Sequence, residues 1–208
     1  MGNNYMRRSK ALLIGFALTL YAIGAASGDF KKGWAAYNSL DYATAKAEWQ
    51  DLADGGDAKS AYGMGLLYGN GFGVDMNDEM ALKYYGIAAE QGHSDAAFNL
   101  AVMHQNGWGV PMDEKKANEW YLVAAEKGNT EAQMALGRYF AMDFLDTYDP
   151  VEAYKWFSLA VRLGDFDAKE KRDFIASRMT ADQVAQGDAL VDTWVADNKA
   201  MIEKLLGE

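Results

Sequence analysis

Residues 106–129 read NGWGVPMDEKKANEWYLVAAEKGN, and residues 70–93 read NGFGVDMNDEMALKYYGIAAEQGH. Laid over one another, the two stretches share a glycine loop, a short polar residue, an amphipathic run and a closing glycine, offset by 36 positions. The same offset runs along the chain. Gly56, Gly92, Gly128 and Gly164 keep it, as do Asp41, Asn77, Asp113 and Asp149. So do Ala45, Ala81, Ala117 and Ala153, and the rings Trp49, Tyr85, Tyr121 and Phe157. Four columns in step mark an internal repeat. A unit of this length buries its apolar face only by stacking on its neighbours.

Each column has a mechanical reason. Asp, Asn, Asp and Asp at 41, 77, 113 and 149 are N-cap residues, whose side-chain oxygens satisfy free amides at a helix start. Asp149-Pro150-Val151-Glu152 adds proline at the first helical position and glutamate at the third. Ala81, Tyr85 and Ala88 then recur at i, i+4 and i+7 on one helical face, matched by Ala117, Tyr121, Ala124 and by Ala153, Phe157, Ala160. Gly92, Gly128 and Gly164 end that helix, where a positive φ is wanted. A second helix begins after each glycine, with Ser60, Met64 and Tyr68 on one face and their equivalents Ala96, Leu100, His104 and Ala132, Leu136, Phe140. Gly65, Ala101 and Gly137 keep one position of it small for close helix contact.

Ala96 to Ala101, the loop Gly107-Trp108-Gly109-Val110, and Lys116 through Trp120-Tyr121 and Ala124-Ala125 to Gly128 are similar to the Sel-one-like repeat family, itself related to tetratricopeptide repeats. The resemblance implies an all-α fold: a right-handed α/α solenoid of about three and a half 36-residue helix-loop-helix repeats with a C-terminal capping helix. Residues 29–55 read as an N-terminal half-repeat, 56–91 and 92–127 as two full repeats, and 128–163 as a degenerate third. In the third, Asp143 and Leu145 replace the loop glycines, so that loop must take another conformation. Residues 164–208 read as capping helices. Thr180-Ala181-Asp182-Gln183 is a capping-box start, and Val184, Val191, Trp194 and Val195 form a stripe that closes the last repeat. Gly187 weakens that helix by ~1 kcal/mol relative to alanine. Met201, Ile202, Leu205 and Leu206 prolong the stripe, either as a longer cap or as a surface for self-association.

Residues 1–26 differ in kind. Arg7, Arg8 and Lys10 precede an apolar run from Ala11 to Ala26 that ends on Gly24-Ala25-Ala26. A basic segment, a short apolar core and small residues at a cleavage site make a secretory signal peptide. The alternative, an uncleaved anchor, needs about 20 apolar residues, more than this run supplies. Cleavage after Ala26 removes three positive charges and takes the net charge from −10 to −13. The expected product is exported, periplasmic or secreted, with no membrane span after cleavage. Its acidity disfavours nucleic acid and anionic membranes as partners. The 208 residues contain no cysteine, two histidines and two prolines. That excludes disulfide frameworks, thiol catalysis and multi-histidine metal sites.

No reaction is legible. Neither Gly69–Gly73 nor Gly107–Gly109 leads into the Lys-Ser/Thr of a phosphate loop, and both follow a helix rather than a strand. His104 stands in the column of Tyr68 and Phe140, a core position, and His93 adjoins a turn glycine. No enzyme, cofactor or metal site is expected. Phe72, Trp108 and Phe144 keep the 36-residue step within the loops, where they form either a binding edge or local packing. Asn99 lies one position before a core leucine, and Asn70 and Asn106 lead into the aromatic loops. Amides of this kind donate to and accept from an extended backbone. The resemblance implies an exported adaptor or scaffold for a protein or peptide partner, in envelope signalling or assembly. Two other classes stay open: a module binding glycan or peptidoglycan through the loop rings, and a β-lactam-processing enzyme. The latter is implied by cysteine-rich relatives whose shared cysteines this chain lacks.

Overall fold

A computed structural model describes residues 28–143 and 146–207. The segment 1–26, read as an export signal, and the loop residues Phe144 and Leu145 lie outside the described residues. Eleven helices and no strand occur among the described residues. They are α1 (Phe30–Asn38), α2 (Tyr42–Asp54), α3 (Ala58–Asn70), α4 (Asp78–Glu90), α5 (Ser94–Asn106), α6 (Glu114–Glu126), α7 (Thr130–Phe140), α8 (Pro150–Arg162), α9 (Asp167–Ala176), α10 (Ala181–Asp197) and α11 (Lys199–Leu206). Each of α1 to α8 packs on the next, as a solenoid of helix pairs requires.

The capping column starts the even-numbered helices. Asp41, Asn77 and Asp113 accept from the N–H groups of Thr44, Met80 and Lys116, and Asp149 accepts from Val151 and Glu152. Those helices end at the glycine column. Gly92 and Gly128 take φ of 84° and 81°, and the following N–H groups of His93 and Asn129 donate back to Ala88 and Ala124. This is the left-handed closure that glycine allows without a Cβ clash. The loops between α3 and α4 and between α5 and α6 close by one long-range bond each, from Asn77 N–H to Tyr68 and from Asp113 N–H to His104. The third loop keeps that bond, Asp149 N–H to Phe140, although α7 stops on Ala141 in the right-handed region rather than on a left-handed glycine. The substitution of the loop glycines leaves that closing bond in place.

The core runs along the stack. Ala45, Ala81, Ala117 and Ala153 are buried, and the rings Trp49, Tyr85, Tyr121 and Phe157 lie beside them. The small column explains how the rings fit: a Cβ at Gly137 would stand 2.5 Å from the Phe157 ring, and one at Gly65 would stand 2.4 Å from the Tyr85 ring. At these two glycines the helices meet through rings laid on bare backbone, so one added methyl group would force them apart.

Both ends differ from the sequence reading. Residues 29–55 form a complete helix pair, α1 and α2, rather than half a repeat. The connection between them, Ser39–Asp41, is shorter than the glycine loops and shifts the register, so Gly33 meets the Trp49 ring. At the other end α10 packs on α8. Gly187 is a contact point rather than merely a weak residue, since a Cβ there would lie 2.5 Å from the Tyr154 ring. Thr180 and Gln183 form the expected capping box. Trp194 Nε1 donates to Glu126 Oε2 at 2.8 Å, and α11 sets Leu205 and Met201 against the turn at Gly128. Val191, Trp194 and Ile202 are buried, so most of the C-terminal stripe packs within the chain, while Leu205 and Leu206 stay exposed.

Candidate functional site

The odd-numbered helices α3, α5, α7 and α9 form one face of the stack. Three hollows open on it in register. The first, about 310 Å³, lies between α3 and α5, with Asp78, Ala81 and Tyr85 of α4 contributing to its wall. The second, about 100 Å³, lies between α5 and α7, where Glu114, Ala117 and Tyr121 of α6 take those places. The third, about 430 Å³, is bounded by Arg138, Phe157, Phe174 and Ile175. The repeat therefore reproduces a surface depression, of varying size, along with its own core.

The first hollow gathers three of the residues singled out from the sequence: Asn70, Asn99 and Trp108. The indole is 51% exposed. Its loop is fixed from below, because a Cβ at Gly109 would stand 2.8 Å from the Asp78 carbonyl carbon. That close approach brings Trp108 and Asp78 to one cavity. Asn70 Nδ2 donates to Leu66 O at 2.9 Å, and Asn106 Nδ2 donates to Val102 O at 2.8 Å. Both amides thus finish the last turn of their helix with the nitrogen and keep the oxygen free of that bond. Asn106 does not line the first hollow.

The loop aromatics do not share one environment. Phe72 stacks on Tyr42, with centroids 4.8 Å apart and planes at 9°, and also approaches Tyr37. Trp108 has Asp78 at the position where Phe72 has Tyr42, one repeat on, and so lacks the stacked tyrosine that Phe72 has. Phe144 lies outside the described residues. Phe72 is a packing residue in this structure, and Trp108 is an open one.

Burial sets the ionisation of the surrounding groups. The Tyr62 hydroxyl is pushed up to about 12 by burial and then by the Asp95 carboxylate. Burial also raises Tyr85 and Tyr121. His93 stacks on Tyr62 at 4.3 Å, and burial lowers its pKa, an effect that Lys59 reinforces and Asp95 opposes. His104 is buried, as its column predicts, and is lowered chiefly by burial. No group of three or more metal-ligating side chains occurs among the described residues, and no helix there is long and apolar enough to cross a membrane.

Sequence reasoning missed the partners of Asn99 and Trp108. Asp78 and Tyr62 sit in the same 36-residue register as the columns it used, but only the packing of α3, α4 and α5 shows that they face one hollow. It also passed over Leu40, Met76, Met112 and Tyr148, which keep the step and are exposed by 71%, 69%, 73% and 38%. An apolar residue just before an N-cap reads as a hydrophobic staple, and that reading hid an open row.

The Sel1 repeat model matches residues 58–93, 94–129 and 130–165. A Sel1 repeat protein from Oxalobacter formigenes is 30% identical, with a TM-score of 0.65 over 69% of this chain; the chain spans 59% of that protein's length. The antigen c5321, a protective antigen of uropathogenic Escherichia coli displaying an SLR fold, is 26% identical over 80% of this chain and 44% of its own, with a TM-score of 0.48. No curated protein matches.

Proposed function

The chain belongs to the Sel1 repeat family, whose members generally act as scaffolds for protein–protein interaction, and from that premise we propose that it is an exported adaptor holding an extended segment of a protein partner on the face of α3, α5, α7 and α9. The observation that carries the reading is the register of the three hollows, each bounded by equivalent residues of successive repeats. A partner strand crossing them meets a polar hollow, a narrow one and an apolar one in turn. Export rests on the basic segment, short apolar run and Gly24-Ala25-Ala26. The glycan reading needs a row of open rings, and the stacking of Phe72 on Tyr42 removes one of them.

Two measurements test this. Intact-mass analysis of protein from an envelope fraction should show loss of about 26 residues; a full-length mass there rejects cleavage. Filling the first two hollows with Asn99→Trp and Ala135→Trp should reduce partner capture from envelope extract at least tenfold with the fold intact. Undiminished capture by that variant rejects this face as the binding surface.

A further inference from the structure

We propose that the first hollow is a receptor for one arginine side chain of the partner segment, a specificity that rests on the scaffold reading and narrows it. The hollow is rich in acceptors. Asp78 brings a carboxylate to it. Asn70, having spent its nitrogen on Leu66 O, turns its carbonyl oxygen away from that bond. No lysine or arginine lines the hollow. A group with several donors, no acceptor and a flat face complements this set, and the guanidinium has that description. The Trp108 indole, half exposed at the wall of this hollow, supplies a face on which such a cation stacks.

The neighbouring hollow is lined by an arginine of the chain itself. Glu114 and Tyr121 there repeat Asp78 and Tyr85, and the place of Val102 is taken by Arg138. Arg138 is close enough to Tyr121 for its charge to oppose the rise in that phenol's pKa. The hollow containing this arginine measures about 100 Å³, against about 310 Å³ where valine stands. The tyrosines differ in the matching way. Tyr121 donates to Gln105 Oε1 at 2.9 Å, whereas the equivalent position beside Tyr85 is Gly69, which has no side chain to engage the hydroxyl. One unit has an arginine at the wall of its hollow, and its neighbour keeps the frame with valine in that place.

The test uses the full chain and four synthetic peptides of one extended sequence, carrying arginine, lysine, citrulline or glutamate at the central position, with affinity read by fluorescence anisotropy. The arginine peptide should bind at least tenfold more tightly than the citrulline and glutamate peptides, and more tightly than the lysine one. Asp78→Asn, which keeps the shape of the hollow, should remove most of that preference. Val102→Arg should abolish it, since it installs the internal guanidinium that the next repeat already tolerates; an unchanged melting temperature shows that the fold survives. Equal binding of arginine and citrulline peptides, or full arginine binding by folded Val102→Arg, overturns the inference. A lysine peptide that binds as tightly overturns the guanidinium assignment. Partner capture separates the two readings. Capture lost in the Asn99→Trp, Ala135→Trp variant but kept in Asp78→Asn leaves the scaffold face standing and removes the arginine receptor. Capture kept in all variants removes both.

Discussion

Replacing Phe72 and Trp108 by alanine should separate packing from binding, although the two residues hold the same place in successive repeats. Phe72 is half-buried and stacks on Tyr42 at 4.8 Å. Truncating a fully buried phenylalanine costs roughly 3–5 kcal/mol, so half that burial together with the ring pair corresponds to about 2 kcal/mol. In a chain of this length 1 kcal/mol shifts the melting temperature by about 2–4 °C, which sets the expected loss at about 4–8 °C. Trp108 is 51% exposed, with Asp78 standing where Phe72 has its stacked tyrosine. Its truncation should cost less than that of Phe72 by the ring-pair contribution, about 0.5–1.5 kcal/mol, a difference of about 1–6 °C. Partner capture should move the other way: weakened at least tenfold by Trp108→Ala and little by Phe72→Ala. Thermal melts by circular dichroism and capture assays on both variants give the comparison. A larger loss of stability for Trp108→Ala, or equal losses, would refute the distinction drawn from Tyr42 and Asp78.

Three further outcomes are expected. Gly92→Val should cost about 1–3 kcal/mol from backbone strain alone, as its side chain would enter open space, and Gly128→Val should cost more because a Cβ there meets Leu205 at 2.8 Å; equal melts for the two variants would contradict the seat of α11. Gly187→Ala should lower the melting temperature despite alanine's better helix propensity, since its Cβ would meet the Tyr154 ring; a rise would show that α10 can shift away. Burial holds the folded-state pKa of His93 below its ordinary 6.5, so its contribution is fully present above about pH 6.5 and is lost as pH falls through the lower folded value. His93→Phe, which keeps a ring against Tyr62, should flatten the fall in melting temperature between pH 7.5 and 5, and an unchanged slope would assign that fall to other groups.

The fold was legible because repetition multiplies weak signals. A single Asp before an apolar run is a poor helix start, but Asp41, Asn77, Asp113 and Asp149 in one register identify the cap and the period together. The reading failed where the period breaks. A shorter connection at Ser39–Asp41 disguised α1 and α2 as half a unit. The continuous apolar stripe from Val191 to Leu206 hid the break at Asn198 that separates α10 from α11. The candidate site was legible in part. Asn70, Asn99 and Trp108 follow from the loop and helix columns, but whether a loop ring packs or stays open depends on residue 42 or 78, some thirty positions earlier. Arg138, the internal counterpart of the proposed ligand, has no signature until two hollows are compared.

The hydrogen bond between Trp194 and Glu126 joins residues 68 apart in a protein whose other contacts run mostly between adjacent helices. A plain linear array can open from either end one unit at a time, because each unit is held only by its neighbours. Here α10 and α11 reach back over α8 to the end of α6 and the turn at Gly128, so α7, α8 and α9 lie within a closed span. The C-terminal units must then open together, and amide exchange should be cooperative across α6 to α10 while α1 and α2 fray independently. Closing that span is also the contact of longest sequence separation described for this chain, and it can form only after α6 and α8 are in place. The stack is thus assembled as a zipper and finished as a clasp.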